Sequence, residues 1–278
     1  MDAKRKYAIK DKCPHFVWKF ARAIYRKSTW LKCRIAMAFS GKNMTLICPC
    51  CETKIKGFTE GDYEGRPQFY DLSLFEGVRQ DVVCPACGSL PRHRILAKWG
   101  ETHREVFEKK DVLYFAPERG MTSWMKRNKI KYTTADLFDE GVDLKLDIQD
   151  TKLPDNSYDV VICNHVLEHV DDYLKALAEM RRIVRPNGCF ICSFPMSPDV
   201  EFVDEDPSVK TDEERLKRYG QSDHVRLFGM HANRFMEDAG FDVEVIDGDT
   251  YPENILPVTG PSRYDINRLF VCRKRAER

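Results

Sequence analysis

The chain has 278 residues, 42% of them hydrophobic, with 45 Lys or Arg against 44 Asp or Glu. That length accommodates one large α/β domain and a small second module. No apolar run is long enough to span a bilayer, and the N-terminus has no uncharged signal-like segment, so a soluble, cytoplasmic protein is expected.

Near-neutral net charge hides an asymmetry. Residues 1–43 hold twelve Lys or Arg and only two Asp. Apolar residues recur there at Val17, Phe20, Ile24, Leu31 and Ile35, a helical spacing. Residues 1–45 are therefore expected to form a basic amphipathic arm, able to touch anionic lipid headgroups or phosphates at a membrane surface. A merely solvated helix face is the plain alternative.

Eleven cysteines without a signal segment argue against a disulfide framework. Residues 46–108 read as a small metal-knit module and a connecting helix. In it, Cys48-Pro-Cys-Cys51 and Cys84-Pro-Ala-Cys87 each place two thiols two residues apart. Two tight turns of this kind complete a tetrahedron around a structural zinc ion, so Cys48, Cys51, Cys84 and Cys87 are the expected ligands. Arg92-His93-Arg94 follows, suited either to a phosphate or carboxylate or to the first turn of a helix over 91–108.

Residues 109–278 alternate strands and helices. Strands are expected near 112–115, 131–136, 143–147, 158–163, 188–194, 242–247 and 268–273, and helices near 120–129, 171–184 and 230–239. That pattern predicts a doubly wound, mostly parallel seven-stranded sheet. Acids close two strands, at Asp136 and Asp147, where open α/β sheets bind ligands. Cys189-Phe-Ile-Cys192 lies in a strand, where an odd offset sends the two sulfurs to opposite faces, so these are core thiols. Residues 197–229 form a long charged insertion of the kind that covers active sites.

His165-Val-Leu-Glu168-His169 matches H-x-x-E-H, an inverted zinc-peptidase motif. That chemistry needs both imidazoles on one helical face. Here the motif follows a strand directly, and the next helix is expected to begin near Asp171-Asp172, whose acids suit its N-terminus.

The block from Leu153-Pro-Asp155 through Tyr158-Asp159 to Asn164-His165-Val-Leu-Glu168-His169 resembles the central part of class I S-adenosylmethionine-dependent methyltransferases of the type 11 kind. Arg182-Ile-Val-Arg185-Pro-Asn-Gly188 resembles their turn before the fifth strand, and the cysteine pairs resemble a subgroup with an N-terminal zinc ribbon. The resemblance covers about 111–274 and implies a Rossmann-like methyltransferase fold using S-adenosylmethionine. It implies that Asp136 grips the ribose hydroxyls, that Asp147 and Ile148 hold the adenine, and that Asn164 and His165 lie beside the sulfonium. The first loop departs from the family's acid-x-Gly-x-Gly-x-Gly: here it reads Tyr114-Phe115-Ala116-Pro117-Glu118-Arg119-Gly120. Phe115, Ala116, Glu118 and Gly120 are its candidate cofactor contacts, with Glu118 placed to meet the cofactor's ammonium.

Methyl transfer needs alignment and sometimes a base. His165 and His224 are the candidate bases, with Asp223 adjacent to orient His224 and His93 as a third possibility. The acceptor is expected to offer an oxygen or nitrogen on a small molecule or glycan, including phosphorylated or lipid-linked ones. Two alternatives stay open: a non-catalytic binding module that kept the fold, and a nucleic-acid-directed methyltransferase. Against nucleic acid, the arm's aromatics fit an amphipathic stripe better than a stacking platform.

Overall fold

The computed structural model describes residues 46–59, 82–252 and 267–275. The expected basic arm, and with it the membrane contact of residues 1–43, lies outside the described residues.

The described chain opens with the antiparallel pair β1 (Leu46–Ile47) and β2 (Lys54–Ile55). The sheet domain then begins, helix α1 (Pro91–Thr102) leading through a 3-10 turn at Arg104–Val106 into β3 (Val112–Phe115). Next come α2 (Arg119–Arg127), β4 (Tyr132–Asp136), β5 (Leu144–Lys145), β6 (Tyr158–Asn164), α3 (Tyr173–Ile183) and β7 (Val184–Ser193). The insertion holds β8 (Met196–Ser197), β9 (Val203–Glu205), α4 (Asp212–Tyr219) and β10 (Arg226–Gly229). Helix α5 (Asn233–Asp238) precedes the last strands, β11 (Phe241–Asp247) and β12 (Arg268–Lys274).

Seven strands form one sheet in the order β11-β12-β7-β6-β3-β4-β5. β12 alone runs opposite to the other six strands, which are mutually parallel. This is the expected doubly wound, Rossmann-like fold. The chain starts at the central β3, builds outward to β5, then crosses back to β6, so the strand order reverses between β3 and β6. That reversal opens a crevice at their C-terminal ends.

Alternation along the central strands builds two cores. On one face Val112, Tyr114, Val160, Ile162, Cys189 and Ile191 pack with α1, α2 and the cysteine module. On the other, Leu113, Phe115, Val161, Cys163, Phe190 and Cys192 pack with α3 and α5. Cys189 and Cys192 thus occupy opposite faces, as strand periodicity requires. The cysteine module shares its core with the sheet.

Three local expectations shift. The strand expected over 143–147 is confined to Leu144–Lys145, because Asp147 turns back to Asp150. Strand β7 begins at Val184 rather than near 188, its first residue pairing with Tyr158 before a register shift. Gly188 serves that shift, since a Cβ there would meet the Asp159 carbonyl oxygen at 2.5 Å. The insertion folds as its own three-stranded sheet, β8-β10-β9.

Candidate functional site

Asp136, Ile148, Asn164 and His165 all come from strand ends or the loops that follow them. Asp136 Oδ1 accepts the amides of Phe138 and Asp139 at 2.7 and 2.8 Å, fixing the carboxylate at the tip of β4. Its Oδ2 makes no hydrogen bond among the described residues and remains available to hydroxyl donors. Asp147 Oδ1 accepts the Gln149 amide at 2.8 Å, and Ile148 beside it is buried in the core. Asn164 ends β6 at 2% exposure; its Oδ1 accepts from Ser193 Oγ at 2.9 Å, and its Nδ2 makes no hydrogen bond among the described residues. A buried amide donor with nothing to bond is costly, and such an atom fits a ligand's acceptor.

The first loop is tied to α1. Ala116 takes φ +46°, a conformation that normally favours glycine, and its N–H reaches Ala135 O at 2.8 Å. The Glu118 N–H donates to the Tyr114 hydroxyl at 3.0 Å, folding the loop back on its own strand. The Glu118 carboxylate takes both Arg92 Nε at 3.1 Å and Arg92 Nη2, and lies 2.6 Å from His93 Nε2. Burial pushes that carboxyl up, but Arg92 and His93 outweigh it and hold it well below the usual range. His93 Nδ1 accepts the Leu90 amide at 3.0 Å, so the proton belongs on Nε2, facing Glu118. Burial lowers the His93 pKa, consistent with that neutral form.

These contacts reassign several residues. Glu118 is engaged by α1 rather than held open for an ammonium group. Gly120 permits close approach: a Cβ there would meet Ser89 Cα at 2.6 Å and His93 Nδ1 at 2.7 Å. Arg94 is buried, donating to Val82 O and Ser89 O with Phe58 3.9 Å from its guanidinium. Arg92-His93-Arg94 therefore joins the cysteine module to the first loop, with His93 Nε2 engaged by Glu118.

A second cluster lies past β6. The H-x-x-E-H segment is turn rather than helix, and α3 starts at Tyr173 with Asp172 capping the Lys175 amide at 2.9 Å. The peptidase geometry is absent from that segment. Instead, His165 Nδ1 is 3.4 Å and His169 Nε2 3.9 Å from Glu168 Oε1. His224 arrives from the insertion, its ring centroid 4.8 Å from that of His169. Asp223 does not orient His224: its carbonyl is 3.1 Å from His169 Nδ1, while His224 Nδ1 meets Tyr219 O at 3.1 Å. Arg226 anchors the arrangement, donating to the carbonyls of Leu167, Val170 and Asp171 and to both Glu205 oxygens. Glu168 and His169 were not foreseen as part of a shared site with His224. His169 and Asp223 stand 54 residues apart, and only tertiary pairing unites their segments.

In the cysteine module, Cys48 Sγ lies 3.8 Å from Cys87 Sγ, and Cys51 Sγ lies 3.9 Å from Cys84 Sγ. Zn–S bonds of ~2.3 Å set a tetrahedral edge of ~3.8 Å, so this donor set fits zinc. The two turns match: Glu52 donates to Cys48 O and Gly88 to Cys84 O, both at 2.8 Å and both at positive φ. Cys50 is buried beside them but is not one of the four clustered sulfurs.

Residues 103–192 match the family model described as a methyltransferase domain. A Listeria monocytogenes demethylmenaquinone methyltransferase is 32% identical over 76 residues, which is 27% of this chain and 32% of that protein. The chain thus spans about a third of that relative's length. A Burkholderia thailandensis 1,6-didemethyltoxoflavin-N1-methyltransferase, solved with that compound and S-adenosylhomocysteine, is 15% identical at a TM-score of 0.45. The match covers 66% of this chain and 79% of that one. An S-adenosylmethionine-dependent methyltransferase from Archaeoglobus fulgidus is 16% identical at TM-score 0.45, over 66% of this chain and 94% of its own. The matched stretch runs from just before the 3-10 turn through most of β7.

Proposed function

We propose that the protein is an S-adenosylmethionine-dependent methyltransferase with a structural zinc module, acting on an oxygen or nitrogen of a small or glycan-type acceptor. The observation that carries the reading is the pair of acids Asp136, at the end of β4, and Asp147, in the turn after β5, together with the buried Asn164 Nδ2 at the end of β6, which makes no hydrogen bond among the described residues. A carboxylate oxygen at Asp136 suits vicinal hydroxyl donors, and Ile148 offers an apolar contact to an aromatic ring. When bound, the cofactor supplies an activated methyl group on a sulfonium; the chain's residues position it and the acceptor. The zinc ion would be held by Cys48, Cys51, Cys84 and Cys87, behind the first loop and not at the crevice.

Of the two candidate bases, His165 is the better placed. It follows β6 directly at φ +53°, its N–H held by Ser193 O at 2.8 Å and its side chain 18% exposed. His224 is 1% exposed with Nδ1 committed to a carbonyl, which suits an anchored ligand better than a proton carrier.

The non-catalytic reading draws support from the first loop, where Glu118 is engaged by α1. Calorimetric titration with S-adenosylmethionine and S-adenosylhomocysteine separates the two. Micromolar binding abolished in Asp136→Ala and weakened in Asp136→Asn, which keeps the turn acceptor, supports the enzyme. No binding to a folded, zinc-loaded sample would replace it with a binding module.

A further inference from the structure

Glu168, His169 and His224 each offer a ligand atom, and the three atoms lie within 4.8 Å of one another. We propose that these residues form a second metal site, a two-histidine, one-carboxylate site for a divalent transition-metal ion, distinct from the cysteine cluster.

The tautomers support it. His169 Nδ1 faces the Asp223 carbonyl and His224 Nδ1 faces the Tyr219 carbonyl, each at 3.1 Å. A carbonyl oxygen can only accept, so both protons belong on Nδ1 and each Nε2 carries the lone pair that a metal ion requires. Carbonyl contacts of this kind orient metal-binding imidazoles and raise their basicity. The two rings meet edge to face at 73°, which aims their nitrogens from different directions rather than stacking them.

The carboxylate is also preset. Glu168 is 1% exposed, and its own carbonyl accepts the Val225 amide at 3.0 Å, joining the loop to the residue after His224. Arg226 grips the carbonyls on either side of Glu168, at Leu167 and Val170. The site is therefore built from two segments locked together before any ion arrives.

The three ligand atoms lie within 4.8 Å of one another, so binding an ion would draw the side chains together. Bonds of ~2.1 Å to nitrogen and oxygen set ligand separations of ~3.0–3.4 Å. His169 Nε2 to Glu168 Oε1 is 3.9 Å, which a modest side-chain rotation closes. Imidazole nitrogens favour zinc, iron, cobalt or nickel over magnesium, which prefers oxygen donors. Three protein ligands leave coordination positions for water, unlike the closed cysteine site.

The test uses the full chain loaded with one equivalent of zinc, verified by elemental analysis, so that the cysteines alone are occupied, then titrated with Co²⁺ alone and followed by visible absorption. One added equivalent with weak d–d bands and no thiolate charge-transfer band is expected. Glu168→Gln and His169→Ala should weaken that binding at least tenfold while circular dichroism stays unchanged. Asp223→Ala keeps the backbone carbonyl but removes the carboxylate 3.5 Å from His169 Nδ1, so its binding should fall less than that of Glu168→Gln. Absence of Co²⁺ binding up to millimolar concentration, or unchanged binding in Glu168→Gln, would overturn the site. The titration involves neither S-adenosylmethionine nor an acceptor, so its outcome is separate from that of the methyltransferase reading.

Discussion

His93 Nε2 lies 2.6 Å from Glu118 Oε2, joining the helix that leaves the cysteine module to the loop after the first strand of the sheet. In a loop with one glycine, this pair and Arg92 hold the backbone that glycines would otherwise let approach a ligand. The small module is thereby tied to the first loop.

Glu118→Gln keeps the shape and removes the charge that Arg92 and His93 face. It should lower stability by ~1–3 kcal/mol, the usual cost of weakening charge-assisted hydrogen bonds at a partly buried site. Urea denaturation with an unchanged m-value checks it. A variant as stable as the parent would show the contact to be incidental.

Gly120→Ala should cost ~1–3 kcal/mol by overpacking, since its Cβ meets the Ser89 backbone, which cannot rotate away. A control substitution at Gly57, where an added methyl would find nothing within 4 Å, should be nearly neutral. Thermal unfolding of the two variants side by side makes the comparison.

Removing zinc should loosen more than the module. Cys48, Cys84 and Cys87 share a core with Trp99, Trp124 and Ile162 of the sheet's own face. A strong chelator is expected to lower the melting temperature and increase tryptophan exposure. Unchanged fluorescence after the cysteine-bound metal is gone would contradict that coupling.

Glu179 gives a pH signature away from the site. Hydrogen bonds from Arg182 chiefly, against some burial and with help from Thr151, hold its pKa at about 2. A carboxylate depressed in the folded state stabilises fully above its unfolded pKa of ~4.3 and loses that contribution as pH falls toward 2. Chemical denaturation from pH 5 to pH 2.5 should show a loss larger by about 2 kcal/mol in the parent than in Glu179→Gln.

Arg226→Lys should destabilise by ~2–4 kcal/mol, because one ammonium cannot reach three carbonyls and a carboxylate at once. Hydrogen exchange at 167–171 should quicken, and a protection pattern like the parent's would count against the anchoring role.

Local physics made much of this protein legible. Strand alternation placed Cys189 and Cys192 on opposite faces, C-x-x-C spacing marked the four clustered thiols, and Asp172 announced the start of α3. Each depends only on residues a few positions apart. The tertiary structure decided the rest, because the partners are distant in sequence. By sequence Arg92-His93-Arg94 suits either an anion or the first turn of a helix; in the fold Glu118, 25 residues beyond His93, meets it. The sequence pairs His224 with Asp223 as a candidate base, whereas the insertion's fold carries it against His169. Periodicity and spacing fix how a segment folds and which face it presents. Which distant group neutralises a charge or shares an ion depends on how the chain crosses over, and that is set by packing of the whole sheet.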